Sequence, residues 1–305
     1  MIIIFGSNYD SSTKEVIQWL NKGSEEVVLI SGIKDYKALS IHSFSKSGIK
    51  AVWYRKYETQ QTKRIKINPE IVSFLNDEYR SYRNYVYRLF QTVRTLGNSF
   101  EAMDPDKLCV LEEAKNCGLS TPNFIVTTNK QEVIDFFAIY SSVITKPIFN
   151  GISIKFDKNW QGIMYTSLVT KETINELPNS FFPGLFQQYI KKEIELRIFY
   201  LDGSFYSTAI FTQANGETID CRKDQTSQKR RMVPYKLPNE IEKKLIQLMN
   251  RLELNTGSID MIKTRNAEYV FLEVNPVGIF DETSINCNYY LNKKIAKWLS
   301  SQYEN

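Results

Sequence analysis

Near the carboxyl end, Asp260 sits in Gly257-Ser-Ile-Asp-Met-Ile-Lys263, and Glu273 and Asn275 sit in Glu268-Tyr-Val-Phe-Leu-Glu-Val-Asn-Pro-Val-Gly278. Both stretches read as strands, because apolar β-formers alternate with other residues and Gly or Pro bounds each run. Alternation puts Asp260 on a face with Ser258 and Ile262, and sets Glu273 and Asn275 against Val270, Leu272 and Val274. If the two strands form a hairpin around Thr264-Arg-Asn-Ala267, two carboxylates and an amide oxygen converge. An oxygen-only cluster of that kind suits Mg²⁺, whose shell is usually completed by phosphates and water. The plain alternative is a surface hairpin with solvated acids. Against it, Glu273 lies inside an apolar run, where an unpaired buried carboxylate is expensive.

Other charged residues interrupt apolar runs. Lys146 ends Val143-Ile-Thr-Lys just before Ile148-Phe-Asn-Gly, so its ammonium either meets an anion or snorkels to water. Lys107 falls in the first turn of an expected helix, where the dipole disfavours a cation unless an anion is near. Glu195 and Arg197 share a face of the hairpin around Asp202-Gly203, as a structural ion pair or as part of a site.

The elements that would position these groups follow α/β grammar at first. A strand Ile2–Phe5, a helix over 12–21, a strand Val27–Ile30 and a strand from Ala51 to Arg55 are expected in a mostly parallel sheet. A long helix from Asn68-Pro69 is expected to run to Gly97 with a core stripe of Ile71, Phe74, Leu75, Tyr82, Tyr85, Val86, Leu89, Val93 and Leu96. Asp104-Pro105 caps the next helix, which carries Leu108, Leu111 and Ala114. Strands over 121–127 and 143–147 flank a helix Lys130–Tyr140, and short strands over 152–156, 163–169 and 186–190 follow. Asn239, with Glu242 three on, caps a helix, and 284–301 reads as one closing helix.

Composition narrows the class. The chain has 305 residues, 42% hydrophobic and 24% charged, enough for two or three domains, and no apolar run reaches membrane length. The start reads as a strand and not as a signal peptide, which points to the cytoplasm. The lone His42 excludes Ser-His-Asp and Cys-His catalysis, and Cys109, Cys117, Cys221 and Cys287 form no CxxC pair for zinc. They read as reduced, buried thiols. The net charge of +5 admits ATP or an acidic peptide, and no nucleic-acid motif accompanies the Lys229-Arg-Arg231 run.

Asp260, Glu273 and Asn275, with Pro276 and Gly278 after them, resemble the metal-binding end of the ATP-grasp carboxylate ligases. Met1-Ile-Ile-Ile-Phe-Gly-Ser-Asn-Tyr-Asp-Ser-Ser-Thr13, Ala51-Val-Trp-Tyr-Arg-Lys56 and Phe271-Leu-Glu-Val-Asn-Pro276 extend the likeness. Together they resemble the ATP-grasp peptide maturases of the microviridin and grasp-with-spasm type, the graspetide makers. The resemblance implies an ATP-grasp fold behind an amino-terminal α/β domain. Its parts would be 1–100 with the long helix, 101–190 as a central subdomain, and 191–305 as a carboxy-terminal subdomain with the metal site. It implies ATP and Mg²⁺, with Lys107 and Lys146 on the phosphates, Gln188, Tyr189 and Ile190 on adenine, Glu195 on the ribose and Asp224 among the groups that contact phosphates or the activated carboxylate. Catalytic arginines would be Arg197, Arg222 and Arg231.

The activity implied is phosphorylation of a side-chain carboxylate in a precursor peptide, then attack by a Thr or Ser hydroxyl or a Lys amine. The partner is a leader plus a Thr/Ser- and Asp/Glu-rich core, docked on the middle hairpins or the long helix. A homodimer is among the assemblies open to it; nucleic acid and membrane are not partners. A ligase that adds a free amino acid, or a non-catalytic nucleotide-binding protein, are the alternatives.

Overall fold

Four apolar residues form β1 (Ile2–Phe5), and all are buried because the strand lies inside a parallel sheet covered on both faces. In this computed structural model, which describes residues 1–32, 48–55, 68–98, 106–149, 153–155, 161–163, 166–212 and 230–301, β1 is flanked by two parallel strands. They are β2 (Val27–Ile30) and β3 (Ala51–Tyr54), and a short β4 (Thr95–Leu96) extends the sheet beyond β3. Alternation divides the side chains. Ile2 and Ile4 pack with Val16 and Leu20 of α1 (Ser11–Lys22), and Ile3 and Phe5 with Val86 of α2 (Pro69–Leu89).

Next come α3 (Lys107–Asn116), β5 (Phe124–Asn129), α4 (Lys130–Tyr140), β6 (Val143–Lys146), the pair β7 (Ser153–Lys155) and β8 (Gln161–Ile163), β9 (Ser167–Val169), α5 (Lys171–Glu176) and β10 (Ser180–Gln188). The antiparallel sheet β5-β10-β6-β9 packs Phe186 against Val133 and Phe136 of α4 and Ile174 of α5. The last part holds β11 (Ile194–Leu201), β12 (Ser204–Thr212), β13 (Arg230–Tyr235), α6 (Asn239–Arg251), β14 (Thr256–Lys263), β15 (Tyr269–Asn275), α7 (Asp281–Asn286) and α8 (Leu291–Ser300).

Its antiparallel sheet runs β13-β12-β11-β14-β15. One face, with Leu196, Ile198, Ile259 and Met261, packs on Leu111 of α3 and Leu245 and Leu248 of α6. On the other face Phe199 joins Phe280 and α8 in the core under β1 and β3. The β11–β12 hairpin turns at Asp202 and Gly203, whose positive φ angles of 42° and 87° are those a two-residue primed turn requires.

Several expectations change. α2 stops at Leu89, because Arg94 accepts a bond from the Val52 N–H and draws Thr95–Leu96 into the sheet. Of its stripe only Val86 is buried within the helix, and Ile71, Phe74, Leu75 and Tyr85 are exposed. Asp106 caps α3, its carboxylate accepting from the Leu108 and Cys109 N–H groups; Asp104-Pro105 lies outside the described residues. Pro238, not Asn239, precedes α6 and offers no side-chain cap. The closing helix is two helices, broken where Asn288 and Tyr290 take left-handed φ angles of 53° and 54°. Cys117 and Cys287 are buried free thiols, but Cys109 is exposed. His42 and Cys221 lie outside the described residues.

Candidate active site

Strand register assembles one charged row. Arg197 of β11 stands between Thr208 of β12 and Asp260 of β14, and Asp260 stands opposite Glu273 of β15. Residues directly opposite in a sheet share a face, so the arginine and both acids lie side by side away from the α3–α6 core. One rung on, Ser258 faces Asn275. The Arg197 Nε donates to Asp260 Oδ1 at 3.3 Å, and its terminal nitrogens lie 3.8 Å from Glu282 and 4.0 Å from Glu195.

Strict alternation does not hold along β15. The register steps from Asp260–Glu273 to Met261–Phe271, leaving Leu272 as an extra, bulged residue. That step lets Phe271 and Val274, three apart, both enter the α3–α6 core while Glu273 stays over Asp260. Burial pushes the Asp260 carboxyl up to about 6; Arg197 opposes the rise, and Glu273 and Glu195 add to it. The Asn275 carboxamide oxygen accepts the Val277 N–H at 3.0 Å, and the Gly278 N–H returns to the Asn275 carbonyl at 3.0 Å. A tight turn therefore fixes the side chain's base.

Cations approach from the middle of the chain. Lys107 opens α3, and its Nζ lies 3.8 Å from Glu273, the anion that offsets its unfavourable place on the helix dipole. Lys146 ends β6; burial lowers its pKa, Glu273 opposes that, and Lys107 reinforces it. Thus Lys146, Lys107 and Glu273 act on one another across two sheets.

Beside them is a residue the sequence reading missed. Gln187 is buried, its Nε2 has no partner among the described residues, and it shares the face of β10 on which Leu185 opposes Lys146. Its signal was a polar side chain inside Leu185-Phe-Gln-Gln. At the end of that strand the Gln188 N–H donates to Asn123 and the Tyr189 N–H to Ser142. The Ile190 N–H has no backbone partner among the described residues. Glu195 pairs with Lys192 at 2.9 Å, next to Arg197.

Arg231 does not join this group. It pairs with Phe211, whereas Thr208 in the Arg197 row pairs with Pro234, so Arg231 falls on the opposite face and Arg230 on the site's face. In a run of adjacent arginines a one-residue step in register decides which faces the site. Arg222 and Asp224 lie outside the described residues.

The residues fit a nucleotide with its metal. Burial first, and the neighbouring Glu273 after it, put a net penalty on the ionised Asp260 carboxylate that a dication would offset. A half-buried ammonium and an unmatched buried amide share a face beside them. Among the described residues no group of three or more His, Cys, Asp or Glu could hold a metal. The protein would thus offer two carboxylates and the Asn275 amide, a partial shell of the kind Mg²⁺ takes when phosphates and water complete it.

One antiparallel sheet bears the half-buried Lys146 and a second bears the Asp260–Glu273 pair, and the fold as a whole is that of ATP-grasp proteins. Over nearly its whole length the chain is similar to ATP-grasp peptide macrocyclases. The macrocyclase MdnC of Microcystis aeruginosa, bound with precursor peptide MdnA, matches at a TM-score of 0.79 and 27% identity over 98% of each chain. A RiPP-associated ATP-grasp ligase of Chryseobacterium gregarium, in complex with ADP and a leader and core peptide, matches at 0.80 and 23% over 98% of this chain and 96% of that one. A RimK domain ATP-grasp protein of Sphaerobacter thermophilus matches at 0.57 and 13% over 98% and 99%. No family model and no curated protein matches the sequence.

Proposed function

We propose that this protein is an ATP-dependent macrocyclase of a ribosomally made precursor peptide, joining Asp or Glu side chains to Thr or Ser hydroxyls, or to Lys amines. The observation that carries the reading is the Arg197–Asp260–Glu273 row, faced by Lys107 and Lys146. The 27% identity to a macrocyclase crystallised with its precursor supports the choice of substrate. The cytoplasm, where ATP is supplied, is the compartment for this chemistry.

Asp260, Glu273 and Asn275 would hold Mg²⁺, which supplies charge compensation on the ATP phosphates. Lys107 and Lys146 bind phosphate oxygens, and Gln188, Tyr189 and Ile190 border the adenine, with Gln187 Nε2 directed to the same side. Glu195 takes the ribose. A peptide carboxylate oxygen attacks the γ-phosphorus and the bond to ADP breaks, giving an acyl phosphate. A hydroxyl or amine then attacks the carbonyl carbon, the carbon–oxygen bond to phosphate breaks, and the nucleophile's proton leaves with phosphate. Arg197 orients the carboxylate and offsets the oxyanion charge, and Arg222 and Asp224 keep the roles implied by the family resemblance. Positioning and electrostatics suffice for such transfers, so no histidine is needed.

Co-expression with a precursor from a neighbouring reading frame, followed by mass measurement, tests the proposal. The expected product has lost one water per link, with ADP formed only when peptide is present. A protein that consumes no ATP with its precursor and Mg²⁺ refutes it.

A further inference from the structure

The turn that carries Asn275 is held from the other end of the chain. Arg55 follows β3 directly, and its side chain is buried at the carboxyl ends of the parallel strands. Its Nη1 donates to the Val277 carbonyl at 2.9 Å and to the Gly278 carbonyl at 2.8 Å. Its Nε donates to Asp10 Oδ2 at 3.3 Å, and the guanidinium lies 5.1 Å over the Phe280 ring. Asp10 is itself fixed as the N-cap of α1, bonded to the Thr13 N–H and hydroxyl. Ser11 and Ser12 donate to Asp281, at the start of α7.

In the order β2-β1-β3-β4 the chain changes direction across the sheet between β1 and β3. The crevice outside the strand ends at such a point is where open α/β sheets bind ligands. Here Gly6 to Asp10 and Arg55 border it, and the Val277–Gly278 carbonyls reach into it. The turn has no slack on its other side: a Cβ at Gly278 would lie 2.2 Å from Ser258, which faces Asn275.

Resting on the nucleotide and metal reading above, we propose that Arg55 is a positioning residue for the metal site. From the amino-terminal sheet it clamps the 277–278 carbonyls and so sets where Asn275 and Glu273 present their oxygens. Its fork is suited to the task, because one planar group spans a carboxylate and two carbonyls. A lysine could reach one side of that span only.

Isothermal titration of full-length protein with ADP, once in Mg²⁺ and once in EDTA, tests this on wild type, Arg55→Gln and Arg55→Lys. ADP affinity in EDTA is expected to match wild type in both variants. The gain in affinity that Mg²⁺ confers is expected to fall roughly 10- to 100-fold in Arg55→Gln, as for other groups that orient metal ligands, and less in Arg55→Lys. A wild-type Mg²⁺ gain in Arg55→Gln, or equal losses with and without Mg²⁺, overturns the inference. If Arg55→Gln does not fold, Arg55→Lys decides by the same criterion, and failure of both to fold makes Arg55 a fold residue only. Wild type that binds ADP with no Mg²⁺ gain overturns the metal reading itself, and the inference with it.

Discussion

Asp260 places function and stability in opposition, and replacing it by asparagine exposes the conflict. Its carboxyl titrates at about 6 in the fold against an ordinary 3.8. At about 1.4 kcal/mol per pH unit, the ionised form costs the protein at most about 3 kcal/mol when no metal is added. The side chain is 30% exposed, so water screens part of that and about 1–2 kcal/mol is expected. A folded carboxyl that holds its proton more tightly than the unfolded one favours folding at low pH. That advantage is full below about 4 and is lost as pH rises through about 6. Asp260→Asn is neutral throughout, so in EDTA it should be more stable than wild type by about 1–2 kcal/mol at pH 8, and the difference should shrink toward zero as the pH falls toward about 4. Urea unfolding of both proteins from pH 4.5 to 8 measures the difference. Adding Mg²⁺ and ADP should then stabilise wild type by more than ADP alone does, whereas in Asp260→Asn Mg²⁺ should add nothing to the stabilisation by ADP. Were Asp260→Asn less stable than wild type at pH 8 in EDTA, the net penalty argued for the ionised Asp260 carboxylate would be wrong.

Three further outcomes follow from geometry. Gly278→Ala should cost about 1–3 kcal/mol in urea unfolding, since the new Cβ meets Ser258 at 2.2 Å, and adding Ser258→Gly should recover most of it. Arg197→Gln should lower crosslink formation about 100- to 1,000-fold by mass measurement of co-expressed peptide, while calorimetry shows Mg²⁺–ADP binding retained. Phe199→Ala removes a buried ring 4.7 Å from that of Phe280 and should cost about 3–5 kcal/mol of stability, with binding at the acid row following only through the lost fold.

The β11–β14–β15 sheet explains why a fold built on apolar packing can carry this many charges. Leu196, Ile198, Ile259 and Met261 fill one face, and the residues between them point the other way by alternation alone. The charged face is therefore fixed by the packing of its reverse. A slip of one residue would bury Arg197 and Asp260 against α3 and α6, so the apolar set enforces the register of the charged row.

Much of that arrangement was legible because period and turn chemistry agreed. Asp202-Gly203, the Ile2–Phe5 run and Lys130–Tyr140 each lie where their composition predicts. What escaped reading depends on contacts distant in sequence. Thr95–Leu96 continues a helical pattern locally and is a strand only because β3 offers partners. Leu272 gives no composition signal for a bulge, since an extra apolar residue in an apolar strand changes nothing local; only Phe271 and Val274 sharing one core reveals it. Arg231 shows the same limit in a site residue. Adjacent arginines are chemically identical, and the choice between them is made by Pro234 lying opposite Thr208, a pairing that ties two strands with no shared pattern in their sequences. Arg55 lies 222 positions from the Val277 carbonyl it clamps, so its role could be read only after the parallel sheet had brought β3 beside β1.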